Sequence, residues 1–148
     1  MTAESELAGF IAKFDPQMQQ LIRACREALQ ARFPEAVQLV YDNYNFLVIG
    51  FSPTPKPSDA ILSLAAQRRG VSLCFLQRGP ELPDPTKILR GAGKVVRSVP
   101  LSSPDDLDTV EVSDLIEAQL GLAATPMRAS SGAQVIVKSV SAKQRPRR

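Results

Sequence analysis

The residues best suited to chemistry in this sequence are basic side chains grouped around two glycines. The string TKILRGAGKVVR contains the whole group: Lys87, Arg90, Gly91, Gly93, Lys94 and Arg97. A glycine-hinged turn can hold an anion through its backbone N–H groups and neighbouring cations. A Walker phosphate loop is excluded, because Ile88 and Val95 stand where that loop requires glycine and Ser or Thr. Two interpretations stay open: an anion-binding turn, and a turn with ordinary surface charge.

Arg97 needs a partner if its segment is a strand. Strict alternation places Arg97 on the same face as Val95, Val99 and Leu101, where an unpaired charge is costly. An ion pair with an acid such as Asp84 would satisfy it, as would a bulge that turns it outward. The functional alternative is that Arg97 lines a ligand pocket.

Two tyrosines flank a predicted turn at 42–45. Tyr41 and Tyr44 could cap a pocket with ring and hydroxyl, or simply pack against neighbours. We place Tyr41 with the basic group as a candidate ligand-binding residue. Aromatic residues make up only 5% of the chain and tryptophan is absent, which argues against a base-stacking platform for single-stranded nucleic acid.

The composition excludes several kinds of catalysis. With no histidine, the chain has no imidazole base, no imidazole metal ligand and no nucleophile–histidine pair. Cys25 and Cys74 lie far apart on apolar segments, so we expect neither a disulfide framework nor a thiolate zinc site. Neither an activated nucleophile nor a matched acid–base pair is visible. We therefore expect a binding protein rather than an enzyme, with no cofactor.

A series of carboxylates marks the last predicted helix. They recur at every third residue: Asp105, Asp108, Glu111, Asp114 and Glu117. On a continuous helix this spacing winds the carboxylates around the axis, whereas a hard-metal site needs oxygens that converge on one point. The spacing predicts a solvated acidic face and no metal site.

Charge is distributed unevenly along the 148 residues. Residues 1–121 hold 12 Lys/Arg against 15 Asp/Glu, a formal charge of −3, and residues 122–148 hold six Lys/Arg and no acid. We expect a single domain over 1–121 and a basic C-terminal extension over 122–148. Within the extension, QVIVKSV at 134–140 predicts an edge strand, which could pair within its own sheet or with a second copy in a homodimer. The final AKQRPRR predicts an exposed, flexible tail that grips nucleic acid only weakly and non-specifically.

Periodicity gives the elements that must position these residues. Apolar side chains at helical spacing predict a short helix from Leu7 to Phe14, a second from Pro16 to near Phe33, and a third from Asp105 to Gly121. A short helical turn through Ile88 and Leu89 closes at Gly91. Alternation predicts strands at 37–42, 46–51, 60–66, 70–76 and 94–101. Grouped helices and strands favour an α+β fold with an antiparallel sheet.

Several strings together resemble the YdhG-like family of small bacterial cytosolic proteins. They are FDP, YDNYNFLVIGFSP, VSLCFLQRG, LPDPTKILRGAGKVVR and KSVSAKQRPRR. The resemblance implies a two-layer sandwich of helices on a curved, mainly antiparallel sheet of five or six strands, similar to frataxin. Some relatives carry an iron-chaperone label, so the resemblance also implies an alternative function in iron binding. The acidic ridge of a frataxin-type iron surface is not evident here, because the early acids are interleaved with Lys13, Arg23 and Arg26.

Together these observations predict a small cytoplasmic protein that binds a small anionic ligand or a protein partner at the turn around Gly91 and Gly93. Apolar stretches such as FLVIGF are too short to cross a bilayer, so no membrane association is expected. Glu4 and Glu6 stand where a secretory signal would carry basic charge, which favours the cytoplasm.

Overall fold

The structure is a computed structural model that describes residues 1–127 and 133–148. Its helices are α1 (Ala3–Ile11), α2 (Pro16–Arg32) and α3 (Val110–Leu122). Its strands are β1 (Val37–Asp42), β2 (Leu47–Ser52), β3 (Leu62–Gln67), β4 (Gly70–Phe75), β5 (Arg97–Leu101) and β6 (Gln134–Val140). Short 3-10 turns cover Pro57–Asp59, Gly79–Glu81 and Pro104–Asp108. The fold class is therefore α+β.

The six strands form one open, mixed sheet in the order β5-β4-β3-β2-β1-β6. β1 to β5 follow one another as antiparallel neighbours, whereas β6 pairs parallel with β1. The sequence predicted an antiparallel sheet and did not anticipate the parallel pair. Its origin lies in α3, whose 13 residues extend about 20 Å and carry the chain from the β5 edge back toward β1.

A row of apolar side chains crosses the sheet and faces the helices. In register, Val40, Ile49, Leu64, Leu73 and Val99 stand side by side on five adjacent strands, and all are buried. The same hydrophobic cluster contains residues from each helix: Leu7, Ile11, Ile22, Cys25, Leu29, Leu115 and Ile116. Burial of this shared apolar surface is the main force that holds the helices on the sheet.

Two local predictions are wrong. The segment around Ile88 is not a helical turn, because Lys87 has φ +56° and the Asp84 carboxylate accepts the N–H groups of Ile88 and Leu89 at 2.9 and 3.0 Å. The predicted helix from Asp105 is broken in two, because Thr109 has extended backbone and caps α3 by accepting the Val112 N–H. α3 then ends at Leu122, one residue beyond the predicted end of that helix.

The C-terminal residues are hydrogen-bonded to the β1–β2 turn, and the prediction of an exposed tail is wrong at Arg147, which is buried. Most of the other residues from 142 to 148 are exposed, as expected. Residues 141–148, called the C-terminal clasp below, close over the β1–β2 turn. Ser141 N–H donates to the Asp42 carbonyl at 2.8 Å, and Arg145 N–H donates to the Tyr44 carbonyl at 2.9 Å. The Arg147 guanidinium donates to the carbonyls of residues 43 and 45. Arg147 is only 4% exposed; these carbonyls and a carboxylate compensate its charge, while its buried Nε has no hydrogen-bond partner among the described residues.

That carboxylate belongs to Asp42, which is fully buried. Alternation along β1 puts Asp42 on the same face as Val40, under the turn between α1 and α2. Its oxygens accept hydrogen bonds from Lys13 Nζ at 2.7 Å and Arg147 Nη2 at 3.0 Å. A buried charge is tolerated only when it is paired in this way.

The surroundings of Asp42 also set its protonation. Burial is the largest single influence and would raise the pKa of the carboxyl. Hydrogen bonds from Lys13, Gln144 and Arg147 together outweigh burial and hold that pKa below its ordinary value. The carboxylate is therefore ionised wherever the protein is folded near neutral pH.

A depressed pKa links Asp42 to stability at low pH. Because the folded pKa lies below the unfolded value of about 4, the stabilisation is complete above that value and is lost as pH falls through the folded pKa. We expect the free energy of unfolding, measured by urea denaturation from pH 7 to 2, to fall more steeply in the parent than in Asp42→Asn/Arg147→Gln. The double variant removes the carboxylate without leaving Arg147 uncompensated.

Some slope will remain in that variant. The pKa of Asp106 is also lowered, chiefly because its carboxylate accepts the backbone N–H of Ser102. Parallel pH profiles for the two proteins would contradict the assignment of this stabilisation to Asp42.

Candidate functional site

The predicted basic group is divided by the structure. Lys87 and Arg90 line a groove of about 570 Å³ beside the start of α3. The same groove is lined by the acids Asp106 and Glu111. Two cations therefore face two carboxylates, and this charge balance does not favour a free anion.

The Arg97 guanidinium forms hydrogen bonds within its own loop. Its Nη1 donates to the carbonyls of Gly93 at 2.6 Å and Val96 at 2.9 Å. An ion pair with Asp84, one of the alternatives for satisfying this charge, is not formed; the Asp84 carboxylate instead accepts the backbone N–H groups described above. Arg97 thus fixes the shape of the loop over 91–96, and this role leaves Nη1 bonded to protein rather than to a ligand.

The two glycines of this loop differ in what they do. Gly91 has φ +116°, a backbone conformation that side-chain-bearing residues rarely adopt. Gly93 has open space around the position of a Cβ atom and lies exposed next to the exposed Lys94. Only Gly91 is required by the backbone geometry of the loop.

Tyr41 lies elsewhere. It is on β1, and β2, β3 and β4 separate it from the β5 strand that carries Arg97. Four strand spacings correspond to about 19 Å, so Tyr41 does not share a pocket with the glycine turn. The Tyr41 side chain is half-buried, and burial raises the pKa of its hydroxyl.

A different cavity gathers cations from the middle and from the C-terminal end of the chain. This arginine pocket has a volume of about 310 Å³ and is lined by Asn45, Gln67, Arg68, Arg69, Arg145 and Pro146. Three chain segments meet there: the β1–β2 turn, the β3–β4 turn and the C-terminal clasp. No acidic side chain belongs to its lining.

Backbone geometry places each of the three arginines. Gln67 pairs with Gly70 across the β3–β4 hairpin, so Arg68 and Arg69 form its two-residue turn. Arg145 is held by its N–H bond to the Tyr44 carbonyl, and its guanidinium lies over the Tyr44 ring at 5.7 Å from the centroid. The clasp therefore brings Arg145 to the hairpin turn.

The three guanidinium groups are free of acidic partners. The ion pairs found within residues 1–127 and 133–148 involve none of Arg68, Arg69 and Arg145. Guanidinium groups carry a fixed charge and donate in a planar fork that matches phosphate and carboxylate oxygens. The pocket is thus suited to bind an anion.

Sequence reasoning missed this pocket because its members are distant in sequence. In the sequence, Arg68 and Arg69 lie between the strands predicted at 60–66 and 70–76, and Arg145 lies in the predicted exposed tail. Two adjacent arginines in a two-residue hairpin turn indicate, in the sequence itself, a concentration of positive charge at that turn. Their convergence with Arg145 depends on the clasp, which no local pattern reveals.

Thiol and metal chemistry gain no support from the geometry. Burial, and then the charge of Asp106, raises the pKa of Cys25 to about 11, and burial also raises the pKa of Cys74. Both thiols are therefore protonated and weakly nucleophilic. Among the residues that the structure describes, no three acidic or thiol side chains come together to hold a metal ion. Iron binding stays a prediction from the resemblance.

The helices of the described ranges are too short or too polar for any of them to span a bilayer.

No family model, no curated protein and no solved structure matches this chain. The YdhG-like resemblance stays a prediction, and the site is interpreted from its own geometry.

The close packing of Gly79 against the loop that Arg97 fixes can be tested by substitution. A Cβ atom on Gly79 would lie 2.6 Å from the Val95 carbonyl oxygen and 2.9 Å from Arg97 Cγ. We expect Gly79→Ala to cost about 2 kcal/mol, which lowers the melting temperature by roughly 4 to 8 °C. Gly93→Ala is the matched control and should leave the melting temperature unchanged or slightly higher. Equal melting temperatures for both variants would contradict this close packing.

Proposed function

We propose that this protein binds a small phosphate-bearing molecule in the arginine pocket, and that it acts as a binding protein rather than an enzyme. One observation carries the proposal: three guanidinium groups from two distant segments line one cavity that has no acidic lining residue. Without a bound anion, these like charges repel one another across the cavity. An anion of charge −2 relieves that repulsion.

Size and charge both favour a phosphate group. The cavity of about 310 Å³ is at the small end of the range for small-molecule sites. The three positive charges of the arginines exceed the single negative charge of a carboxylate and are better compensated by a phosphate group, which carries nearly two. Asn45 and Gln67 add amide groups that can donate to further oxygens.

The glycine turn is a weaker location for the same anion. Lys87 and Arg90 share their groove with two carboxylates, and Arg97 Nη1 is bonded to carbonyl groups. Lys94, which is exposed like Lys87 and Arg90, is the one cation of the predicted group that lies within the loop over 91–96. We therefore move the proposed anion site from the glycine turn to the arginine pocket.

We also infer that the protein is a cytoplasmic member of the YdhG-like family with a frataxin-like, two-layer fold. The supporting observations are four antiparallel strand pairs and a hydrophobic cluster that joins all three helices to the sheet. The lack of histidine and the raised pKa of both thiols support a non-enzymatic role.

The proposal is tested by calorimetric titration with inorganic pyrophosphate. Arg68→Gln, Arg69→Gln and Arg145→Gln should each weaken binding about 10-fold or more, because each removes charge-assisted hydrogen bonds. Raising the salt concentration should weaken binding further. Arg23→Gln is the matched control: Arg23 lies on α2 and donates to Gln19, and its replacement should leave affinity unchanged.

Melting temperatures of the variants establish that they are folded. Arg145→Gln keeps the backbone N–H that bonds to Tyr44, so the clasp should persist. Absence of binding in the parent, or equal affinities in all four variants, would overturn the proposal.

A further inference from the structure

Exposed aromatic side chains are concentrated beside the arginine pocket. Tyr44 is 50% exposed and Phe46 is 36% exposed. In residues 1–127 and 133–148 every other aromatic side chain is buried or half-buried. They flank Asn45, which lines the pocket. The two exposed rings of the described chain therefore lie in the β1–β2 turn, which is one of the two turns that border the arginine pocket.

The Tyr44 ring is in direct contact with the pocket's cationic wall. The Arg145 guanidinium lies over this ring and also lines the cavity. A cation over an aromatic face is attractive and keeps both groups in place. The turn thus presents aromatic surface next to fixed positive charge, with the Arg145 guanidinium 5.7 Å from the centre of the Tyr44 ring.

This combination suits a ligand that is both planar and phosphorylated. Nucleobases stack on aromatic rings and on guanidinium planes, while arginines hold the phosphate oxygens. A sugar phosphate would use the cations and leave the two rings exposed to water.

We propose that the ligand of the arginine pocket is a nucleotide, with its phosphate on Arg68 and Arg69 and its base against Tyr44 and Arg145. The inference rests on the proposed function and adds the class of ligand. One aromatic turn beside one pocket favours a mononucleotide, because proteins that bind long single strands use successive stacking side chains along a groove.

The experiment compares two probes that differ only by the base. Adenosine 5′-monophosphate and ribose 5-phosphate share the sugar and the phosphate group. We expect the nucleotide to bind about 10-fold tighter in calorimetric titrations, which is the contribution of stacking one base. Tyr44→Leu should remove that difference, whereas any affinity lost because Arg145 is released from the ring should be the same for both probes. Tyr44→Phe keeps the ring and should keep the difference.

Fluorescence gives a second readout at the same residue. The chain has two tyrosines and no tryptophan, so Tyr41→Phe leaves Tyr44 as the single tyrosine. Addition of adenosine 5′-monophosphate should quench its emission at the concentration where calorimetry reports binding. Ribose 5-phosphate should cause little quenching.

The outcomes separate the two proposals. If both probes bind equally and Tyr44→Leu changes neither affinity, the nucleotide inference is overturned and the phosphate-binding function stands. If neither probe nor pyrophosphate binds, both proposals fail together. If a short single-stranded oligonucleotide binds far tighter than the mononucleotide, the ligand is a polymer and the mononucleotide inference is overturned.

Discussion

A carboxylate that is buried away from water must be paired with positive charge, and this constraint at Asp42 organises one end of the molecule. Lys13 reaches it from the turn between α1 and α2, and Arg147 reaches it from the last residues of the chain. Leaving the buried charge of Asp42 or of Arg147 uncompensated costs about 3 to 5 kcal/mol. The chain terminus is therefore drawn onto the β1–β2 turn, where it satisfies backbone carbonyls that no strand partner reaches.

The same interaction gives the arginine pocket its third cation. Because Arg147 is anchored, the Arg145 N–H two residues earlier can bond to the Tyr44 carbonyl, and the Arg145 side chain lies against Tyr44 and faces the hairpin turn of Arg68 and Arg69. A structural ion pair thus positions residues that take no part in it. The proposed phosphate and base contacts both depend on this placement, because Arg145 lines the cavity and contacts the aromatic ring.

Local periodicity was sufficient to predict most of the elements and insufficient to predict the site. The helix of Pro16–Arg32 and the strands from 37 to 75 follow from apolar spacing and turn residues. The interruption at Thr109 was missed. There the Thr109 side chain accepts the Val112 N–H and starts a new helix, and apolar spacing does not reveal a break of a single residue. The clasp was missed because the attraction between Asp42 and Arg147 acts across the fold, and a basic tail resembles a solvated one until its acidic partner is located.

The central claim is that the ion pair of Asp42 and Arg147 places Arg145 in the pocket, and pyrophosphate affinity of Arg147→Gln tests it most directly. Arg147 is absent from the residues that line the pocket. The account predicts that this variant, while still folded, loses as much affinity as Arg145→Gln, and that combining the two changes causes little further loss. A folded Arg147→Gln protein that binds pyrophosphate as tightly as the parent would contradict it.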